Sequence, residues 1–208
     1  METTWKDLLF LLPFVSGFLV GSFPTGYLLV KARTGKDIRA LGSGNAGATN
    51  VFRSVGRLDG LAVLLADFFK GAFAVVLLSR IFHFPFTSFE TYQFLIGLFT
   101  ILGHVFTPFL GFKGGKGVAT AGGVALAIYP FHFSMAFIGW LAVLAATRYM
   151  SLASITGAWV FAVLAVLSFH NRFHILLALL CATFITWTHR ANVRRLLKGE
   201  ELKLKFKR

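Results

Sequence analysis

The chain has 208 residues, of which 56% are hydrophobic and 14% charged, and its formal net charge is +13. A soluble domain of this size is less apolar, so the composition predicts an integral membrane protein, an all-α polytopic bundle forming one domain over residues 1–208. The positive charge would favour nucleic acid in a soluble protein. Here Lys and Arg flank apolar segments, where they set topology and attract anionic lipids and substrates, so we expect a bilayer and no nucleic acid as partner.

The first apolar segment, residues 8–30, has about 23 residues without a charge, enough to cross a bilayer at about 1.5 Å per residue. The N-terminal METTWKDLLF has neither a basic n-region nor a small-residue cleavage site, which favours a retained span over a signal peptide. Near the end of the segment, GSFPTG at 21–26 contains helix breakers. Such breakers persist in membranes where neighbouring groups satisfy the freed backbone, so we expect this end to line a site.

A polar, glycine-rich loop follows, GSGNAGATN at residues 42–50. Its three glycines and its amide and hydroxyl side chains would let successive backbone N–H groups converge on an anion. Arg39 precedes the loop, and Arg53 and Arg57 follow it; Arg can hold a phosphate through two parallel hydrogen bonds. A plain hydrophilic turn between helices is the alternative for this loop taken alone.

The second and third spans, residues 58–79 and 91–110, each carry titratable groups. Asp67 and Lys70 share a face of the second span and could pair. A lone charge at this depth costs about 2.5–3.5 kcal/mol, so both should face the bundle interior, either as a structural ion pair or in a site. His104 lies in the third span, where it is either a hydrogen-bonded structural group or a neighbour of the site.

A second glycine loop, GFKGGKG at residues 111–117, follows the third span. It is not a nucleotide P-loop, because that motif needs four residues between its outer glycines, a Ser or Thr after the Lys, and a preceding strand. Backbone N–H groups at the start of a helix, with Lys113 and Lys116, still favour an anion. Two such loops suggest one phosphate-handling site.

The remainder predicts further spans at residues 118–128, 131–147, 151–169 and 173–188, which makes about seven; one kinked, re-entrant element over 118–147 is the alternative. Gly122 and Gly123 would allow close helix contact. The last segment holds the only cysteine, Cys181, which excludes a disulfide framework and a cysteine-rich metal cluster; we expect no metal and no cofactor.

Charge asymmetry predicts the orientation. With seven spans, 17 of the 21 Lys and Arg residues fall on one side, together with both glycine loops and the C-terminal tail. Cytoplasmic segments carry this excess, so we expect the N-terminus outside and the C-terminus in the cytoplasm. Five spans would keep both loops and the tail inside as well.

Two further polar sets lie at predicted cytoplasmic boundaries, Ser151 with Ser154 and His189 with Asn192. Ser151 as an N-cap, Ser154 as a first-turn group and His189 as a boundary residue are the ordinary interpretations. Four boundaries that all carry phosphate-binding or proton-handling groups nevertheless favour a common pocket.

The motifs GSFPTGY, DIRALGSGNAGATNVFRSVG, DFFKG, GHVFTPFLGFKGGKGVAT, SLASI and HRANVRRLLKGEE occur in the order found in bacterial acyl-phosphate:glycerol-3-phosphate acyltransferases, which this chain resembles over most of its length. The resemblance implies transfer of a fatty acyl group from acyl phosphate to the 1-hydroxyl of sn-glycerol 3-phosphate. The products would be lysophosphatidic acid and phosphate. It also implies the bacterial cytoplasmic membrane, a site facing the cytoplasm, and the acyl-phosphate-forming enzyme as a partner.

Matching motif positions extend the resemblance to single residues. It implies catalytic roles for Arg39, Ser43, Asn45, Ser151, His189 and Asn192. It implies binding of substrate phosphate by Gly44, Thr49, Asn50, Arg53, Lys113, Gly114, Gly115, Lys116 and Gly117. We expect supporting roles for Asp67, Lys70, His104 and Ser154. At position 191, where the family commonly has an acidic residue, this chain has Ala191, and Glu200 or Glu201 could take over that role.

An acyl phosphate is already activated, so the protein has to position a hydroxyl, neutralise two phosphates and stabilise an oxyanion, without a covalent nucleophile. No histidine is followed by an acidic residue at the fifth position, as soluble-type glycerolipid acyltransferases require. The proton acceptor is therefore His189 or a substrate phosphate oxygen. An anion transporter and a lipid-recruiting scaffold are the competing functions; the first should show an internal repeat, and the second leaves both glycine loops unexplained.

Overall fold

The computed structural model describes residues 5–82 and 88–204, the first five of these by backbone alone. The described residues form α-helices joined by loops and two short 3₁₀ turns, with no β-strand. The chain divides into two compact units, Met1–Ile128 and Tyr129–Arg208. The prediction of an all-helical fold is confirmed for these residues.

The described part of the first unit contains six helices, α1 Trp5–Ser22, α2 Thr25–Thr34, α3 Ala48–Ser54, α4 Arg57–Ile81, α5 Phe89–Val105 and α6 Val118–Ile128. The single helix predicted over residues 8–30 is instead broken at Phe23 and Pro24, because proline has no N–H to donate to the preceding turn. The carbonyl oxygen of Phe23, at this break, accepts hydrogen bonds from the N–H of Thr25 at 3.0 Å and from Lys70 Nζ on α4 at 3.1 Å. A polar group from a neighbouring helix thus satisfies the break, as predicted.

Two helix pairs of the first unit cross at very close range, α1 with α5 and α4 with α6. Glycines make this approach possible, Gly21 and Gly103 at the first crossing and Gly71 and Gly123 at the second. A Cβ atom added to any of the four would collide with a main-chain carbonyl oxygen of the partner helix. Such crossings gain dispersion and Cα–H···O contacts, the main sources of helix association in lipid. The predicted contact at Gly123 is confirmed.

A small apolar core lies beneath the polar loops of this unit. It joins α2, α3 and α4 to the turns that enter and leave the loops, through Val30, Ile38, Val51, Val63 and Leu110, which are at most 4% exposed. The loops therefore rest on a rigid base, although they are themselves polar and rich in glycine.

The second unit contains α7 Pro130–Thr147, α8 Met150–Ser168, α9 Arg172–Thr188 and α10 Arg190–Leu197. Helix α8 packs against both α7 and α9, and α10 contacts the ends of α8 and α9. The chain turns from α7 into α8 at Arg148, which has a left-handed backbone with φ 61°. Between α9 and α10 it bends by 63° at His189.

Within residues 5–82 and 88–204, five helical segments are long and apolar enough to cross a membrane, or six if α9 and α10 count as one bent span. The predicted count of about seven is not reached among the described residues, because α6 has only 11 residues. At about 1.5 Å per residue it covers about 16 Å, roughly half of a hydrocarbon core of about 30 Å. The orientation of the termini stays a prediction, and the last four residues of the basic tail lie outside the described residues.

Candidate active site

The first glycine loop is organised around Asn50, which is 3% exposed at the start of α3. Its Nδ2 donates to three carbonyl oxygens at 3.2, 2.9 and 2.9 Å, those of Ile38, Leu41 and Asn45. Its Oδ1 accepts a 2.9 Å hydrogen bond from the N–H of Ser43. Both polar atoms of the amide therefore shape the loop, and the predicted contact of Asn50 with substrate phosphate stays a prediction.

Several backbone N–H groups of this loop already have acceptors. Those of Ser43, Gly44 and Gly47 donate to oxygens in the loop or just before it. These three N–H groups are therefore already paired within the protein, and phosphate binding at Gly44 stays a prediction. The side chain of Ser43 is in an exposed residue and makes no hydrogen bond to another described residue. The loop thus presents this hydroxyl rather than an open nest of amides.

The second glycine loop folds back onto the end of α5. The N–H of Gly114 donates to Val105 O at 2.9 Å, and that of Gly115 donates to His104 O at 3.1 Å. A Cβ at Gly114 would collide with the carbonyl of His104, and one at Gly115 with the imidazole ring of His104. Both glycines are therefore required by packing within the protein, in addition to the phosphate-binding role that the sequence predicts for them.

Hydrogen bonds join the two loops directly. Arg39 donates from a terminal guanidinium nitrogen to Leu110 O at 3.2 Å, and Asn45 Nδ2 donates to Gly114 O at 3.3 Å. The sequence prediction that the two loops meet is confirmed. Their basic side chains consequently belong to one region of the first unit, in which exposed Lys113 has no ion-pair partner among the described residues.

Arg39 is held in place by Asp37, whose carboxylate accepts hydrogen bonds of 2.7 and 3.1 Å from the guanidinium group. These hydrogen bonds lower the pKa of Asp37 and raise that of Arg39, so both groups are charged at neutral pH. The Arg39 side chain remains 36% exposed. The guanidinium group of Arg39 can therefore bind an anion while its hydrogen bonds to Asp37 fix its orientation.

A buried charged cluster lies beneath the second loop. Lys70 Nζ is 2.7 Å from Asp67 Oδ1, a distance that makes an ion pair although the geometry is not that of a hydrogen bond. His104 Nδ1 is 3.6 Å from the same oxygen. The predicted pairing of Asp67 with Lys70 and the predicted closeness of His104 to the loop are confirmed. The three side chains line a small cavity together with Ser22, Thr25, Thr107, Gly114 and Gly115.

In the second unit a buried carboxylate, Glu201, connects the predicted site residues. Its Oε1 accepts hydrogen bonds from Ser151 Oγ at 2.9 Å and Asn192 Nδ2 at 2.7 Å, and its Oε2 accepts one from Arg195 at 2.8 Å. Burial raises the pKa of Glu201, but the hydrogen bonds from Asn192, Arg195 and Ser151 outweigh it and leave the pKa below its usual value. Ser151 is not the N-cap of α8, which begins after Tyr149.

His189 is 3% exposed at the bend between α9 and α10. Its Nδ1 lies 2.8 Å from Ile185 O. Because a carbonyl oxygen only accepts, Nδ1 carries a proton, and the neutral imidazole keeps its lone pair on Nε2. Ser154 by contrast donates to Met150 O at 2.8 Å within its own helix, a local contact that supports α8.

A family model described as glycerol-3-phosphate acyltransferase matches residues 11–199. The chain belongs to this family. Three relatives named glycerol-3-phosphate acyltransferase illustrate the match. The protein from Geobacter sulfurreducens is 43% identical, with 90% of this chain and 94% of the relative covered. That from Desulforamulus reducens is 38% identical, with coverage of 91% and 92%. That from Staphylococcus carnosus is 39% identical, with coverage of 96% and 100%.

Solved structures of PlsY, an integral membrane glycerol 3-phosphate acyltransferase, are similar in fold. Its glycerol 3-phosphate form has a TM-score of 0.86 at 36% identity, covering 94% of this chain and 95% of that chain. Its lysophosphatidic acid form has a TM-score of 0.82 at 34% identity, with the same coverage. The prediction of an integral membrane acyltransferase is confirmed.

In this member of the glycerol-3-phosphate acyltransferase family, Ala191 is an exposed residue of α10. The carboxylate that Ser151 and Asn192 share is Glu201, reached after the chain turns at Gly199 with φ 71°. The sequence did not distinguish Glu200 from Glu201 as the replacement for the acidic residue. After the turn at Gly199, the structure buries Glu201 and leaves Glu200 exposed.

Proposed function

We propose that this protein transfers a fatty acyl group from acyl phosphate to the 1-hydroxyl of sn-glycerol 3-phosphate, giving 1-acyl-glycerol 3-phosphate and inorganic phosphate. Family membership supports the acceptor and the reaction class. The observation that carries the proposal is the junction between the glycine loops, where Asn45 binds the main chain of the second loop and Arg39 binds that of Leu110 just before it. This junction gathers cationic side chains of both loops, as a reaction between two phosphate-bearing substrates requires.

The reaction needs no covalent enzyme intermediate. The glycerol hydroxyl attacks the acyl carbonyl carbon, the bond from that carbon to the phosphate oxygen breaks, and phosphate leaves. The hydroxyl proton passes to His189 Nε2, which carries the lone pair, or to a phosphate oxygen of the substrate. These two proton routes predict different pH profiles, which the variants described below distinguish.

The two loops take different parts in this proposal. Arg39, Ser43 and Asn45 of the first loop act at the reacting acyl phosphate, while Thr49 and Arg53 add phosphate contacts. Lys113 and Lys116, with the glycines between and after them, hold the phosphate of glycerol 3-phosphate. Asn50 supports the first loop from below. In the second unit, Glu201 fixes the side chains of Ser151 and Asn192 for catalysis.

The donor and the location belong to the same proposal. Exposed apolar side chains along the helices, such as Phe69 and Phe73 of α4, suit contact with lipid, so an acyl phosphate could arrive through the bilayer. The enzyme would work in a bacterial cytoplasmic membrane with its glycine loops toward the cytoplasm, the side that favours Lys and Arg. The enzyme that forms acyl phosphate is then a natural partner.

The test uses purified protein in detergent or liposomes with acyl phosphate and glycerol 3-phosphate. We expect phosphate release that requires both substrates and is accompanied by acylated glycerol 3-phosphate. Arms lacking either substrate measure hydrolysis and background. Equal turnover with acyl-CoA or acyl-carrier protein would overturn the donor assignment, and the absence of turnover with every donor would overturn the reaction itself.

A further inference from the structure

The charged cluster of α4 and α5 connects two irregular parts of the first unit. Lys70 on α4 donates to Phe23 O at the break between α1 and α2 and also pairs with Asp67 one turn earlier. Asp67, 2% exposed, faces His104 of α5. Burying charges costs several kcal/mol unless they are well paired. This cost favours a functional role of the cluster in addition to holding the helices together.

His104 lies between this cluster and the second glycine loop. Its Nδ1 faces Asp67, its Nε2 lies where a Cβ of Gly115 would be, and its carbonyl oxygen accepts the N–H of Gly115 at 3.1 Å. One residue thus fixes Gly115 from two directions, by its main chain and by its ring. At Gly114, in contrast, the three atoms nearest to an added Cβ are the carbonyl oxygens of His104 and Val105 and the methyl group of Thr107.

We propose that His104, held by the Asp67–Lys70 pair, is a positioning residue that sets the height of the second glycine loop and thereby its grip on the phosphate of glycerol 3-phosphate. The inference rests on the proposed function of that loop. The ring acts as a fixed floor for Gly115, and its other nitrogen, Nδ1, lies 3.6 Å from Asp67 Oδ1 of the ion pair. Lys113 and Lys116, the residues on either side of the two glycines, follow the position of that floor.

A double-mutant cycle separates this role from simple packing. We expect His104→Ala to raise the apparent KM for glycerol 3-phosphate about tenfold with kcat changed less than about threefold, because the loss concerns a phosphate held equally before and during reaction. Gly115→Ala alone should raise the KM for glycerol 3-phosphate more than His104→Ala does, because its methyl group collides with the imidazole ring of His104. In Gly115→Ala/His104→Ala the space left by the ring admits the methyl group, so the KM should return close to that of His104→Ala, a coupling of about tenfold or more.

Gly114→Ala is the matched control, because its methyl group would meet the main chain of His104, which no side-chain substitution removes. Gly114→Ala/His104→Ala should show no recovery. His104→Gln serves where His104→Ala folds poorly, since it also removes the ring against Gly115. Melting temperatures are measured with and without glycerol 3-phosphate in the same variants. The rise in melting temperature that this substrate gives should be smaller in His104→Ala than in wild type. In Gly115→Ala/His104→Ala it should return to the value of His104→Ala, as the KM does.

Several results would overturn the proposal. Additive effects of Gly115→Ala and His104→Ala, or equal recovery in the Gly114 control, would show that the ring does not set the loop. A fall in kcat and melting temperature with an unchanged KM would reduce His104 to a structural group. If wild-type protein shows no turnover at all, the proposed function fails; steric coupling in the melting temperatures of the same variants would still report whether the ring supports the loop.

Discussion

Removing the buried carboxylate of Glu201 should destabilise the second unit far more than removing its exposed neighbour. Glu201→Ala removes the carboxylate oxygen that accepts hydrogen bonds from Ser151 Oγ and Asn192 Nδ2, at positions that are 4% and 5% exposed. Losing a hydrogen bond to a charged group costs about 1.5–3 kcal/mol, which gives about 4 kcal/mol for the pair. Arg195 adds at most about 1 kcal/mol, because its side chain is 37% exposed and can turn to water.

Glu201→Gln keeps one oxygen for Ser151 and Asn192 but turns an amide NH₂ toward Arg195. We expect a loss of about 1 kcal/mol, the difference between a charged and a neutral acceptor. At about 2–4 °C per kcal/mol for a chain of this length, the melting temperature should fall by about 12 °C in Glu201→Ala and about 3 °C in Glu201→Gln. Glu200→Gln, the control at the adjacent exposed carboxylate, should shift it by less than about 1 °C.

The pH dependence of melting gives an independent sign test. The folded-state pKa of Glu201 lies below its usual value, so the folded protein binds this proton less readily than the unfolded chain does. The stabilisation is complete above the unfolded-chain pKa of about 4.3 and is lost as the pH falls through the lower folded value. Glu201→Gln should therefore have a flatter profile in this acid range than wild type.

Thermal melting of purified protein in detergent and phosphate release well below the melting temperature measure these effects. Turnover of Glu201→Ala should fall about 10- to 100-fold, because Ser151 and Asn192 lose their orientation. The reasoning is refuted if Glu201→Ala melts like Glu200→Gln, or if Glu201→Gln keeps the acid sensitivity of wild type.

Four further substitutions test the loops and the proton route. Ser43→Ala and Arg39→Ala should each remove most turnover at saturating substrate while melting stays near wild type, since both residues are exposed; nearly full activity in either would exclude the first loop from catalysis. His189→Ala should give a severe loss with an altered pH–rate profile if the imidazole takes the proton, and a modest loss with the profile kept if substrate phosphate does. Asn50→Asp should lower the melting temperature along with activity, because its amide nitrogen donates to three buried or half-buried loop carbonyls and a carboxylate cannot donate; a stable, inactive variant would instead support substrate contact by Asn50.

Sequence was sufficient for the helical membrane fold because its signals are long and physically simple. Uncharged runs identify spans, and the spacing of Asp67 and Lys70 identifies a shared face. The break at Pro24 was visible as a set of helix breakers, although its consequence, two helices in place of one, depends on where Lys70 can reach Phe23 O. The short length of α6 was equally readable from the sequence, and the count of about seven spans stays a prediction.

The site was harder to predict because its geometry depends on which polar atoms are already used. Ser43, Asn45 and Asn50 are all polar residues of one loop, yet both polar amide atoms of Asn50 form hydrogen bonds within the protein. Gly115 lies in a loop whose composition is typical of a phosphate-binding site, but the ring of His104 leaves no space for a side chain at this position. Pattern alone gives the inventory of donors and acceptors; the three-dimensional packing decides which of them stay available.

The shortness of α6 has a consequence for how the protein enters its membrane. An apolar helix of 11 residues is too short to partition into the bilayer as an independent span, so it needs a partner that is already inserted. Helix α4 precedes it in the chain, carries the strongly apolar span Arg57–Ile81, and meets it through Gly71 and Gly123. Insertion is therefore ordered: a bulky residue at either glycine would leave α6 and the adjoining second loop without a docking surface during biogenesis, before any substrate is encountered.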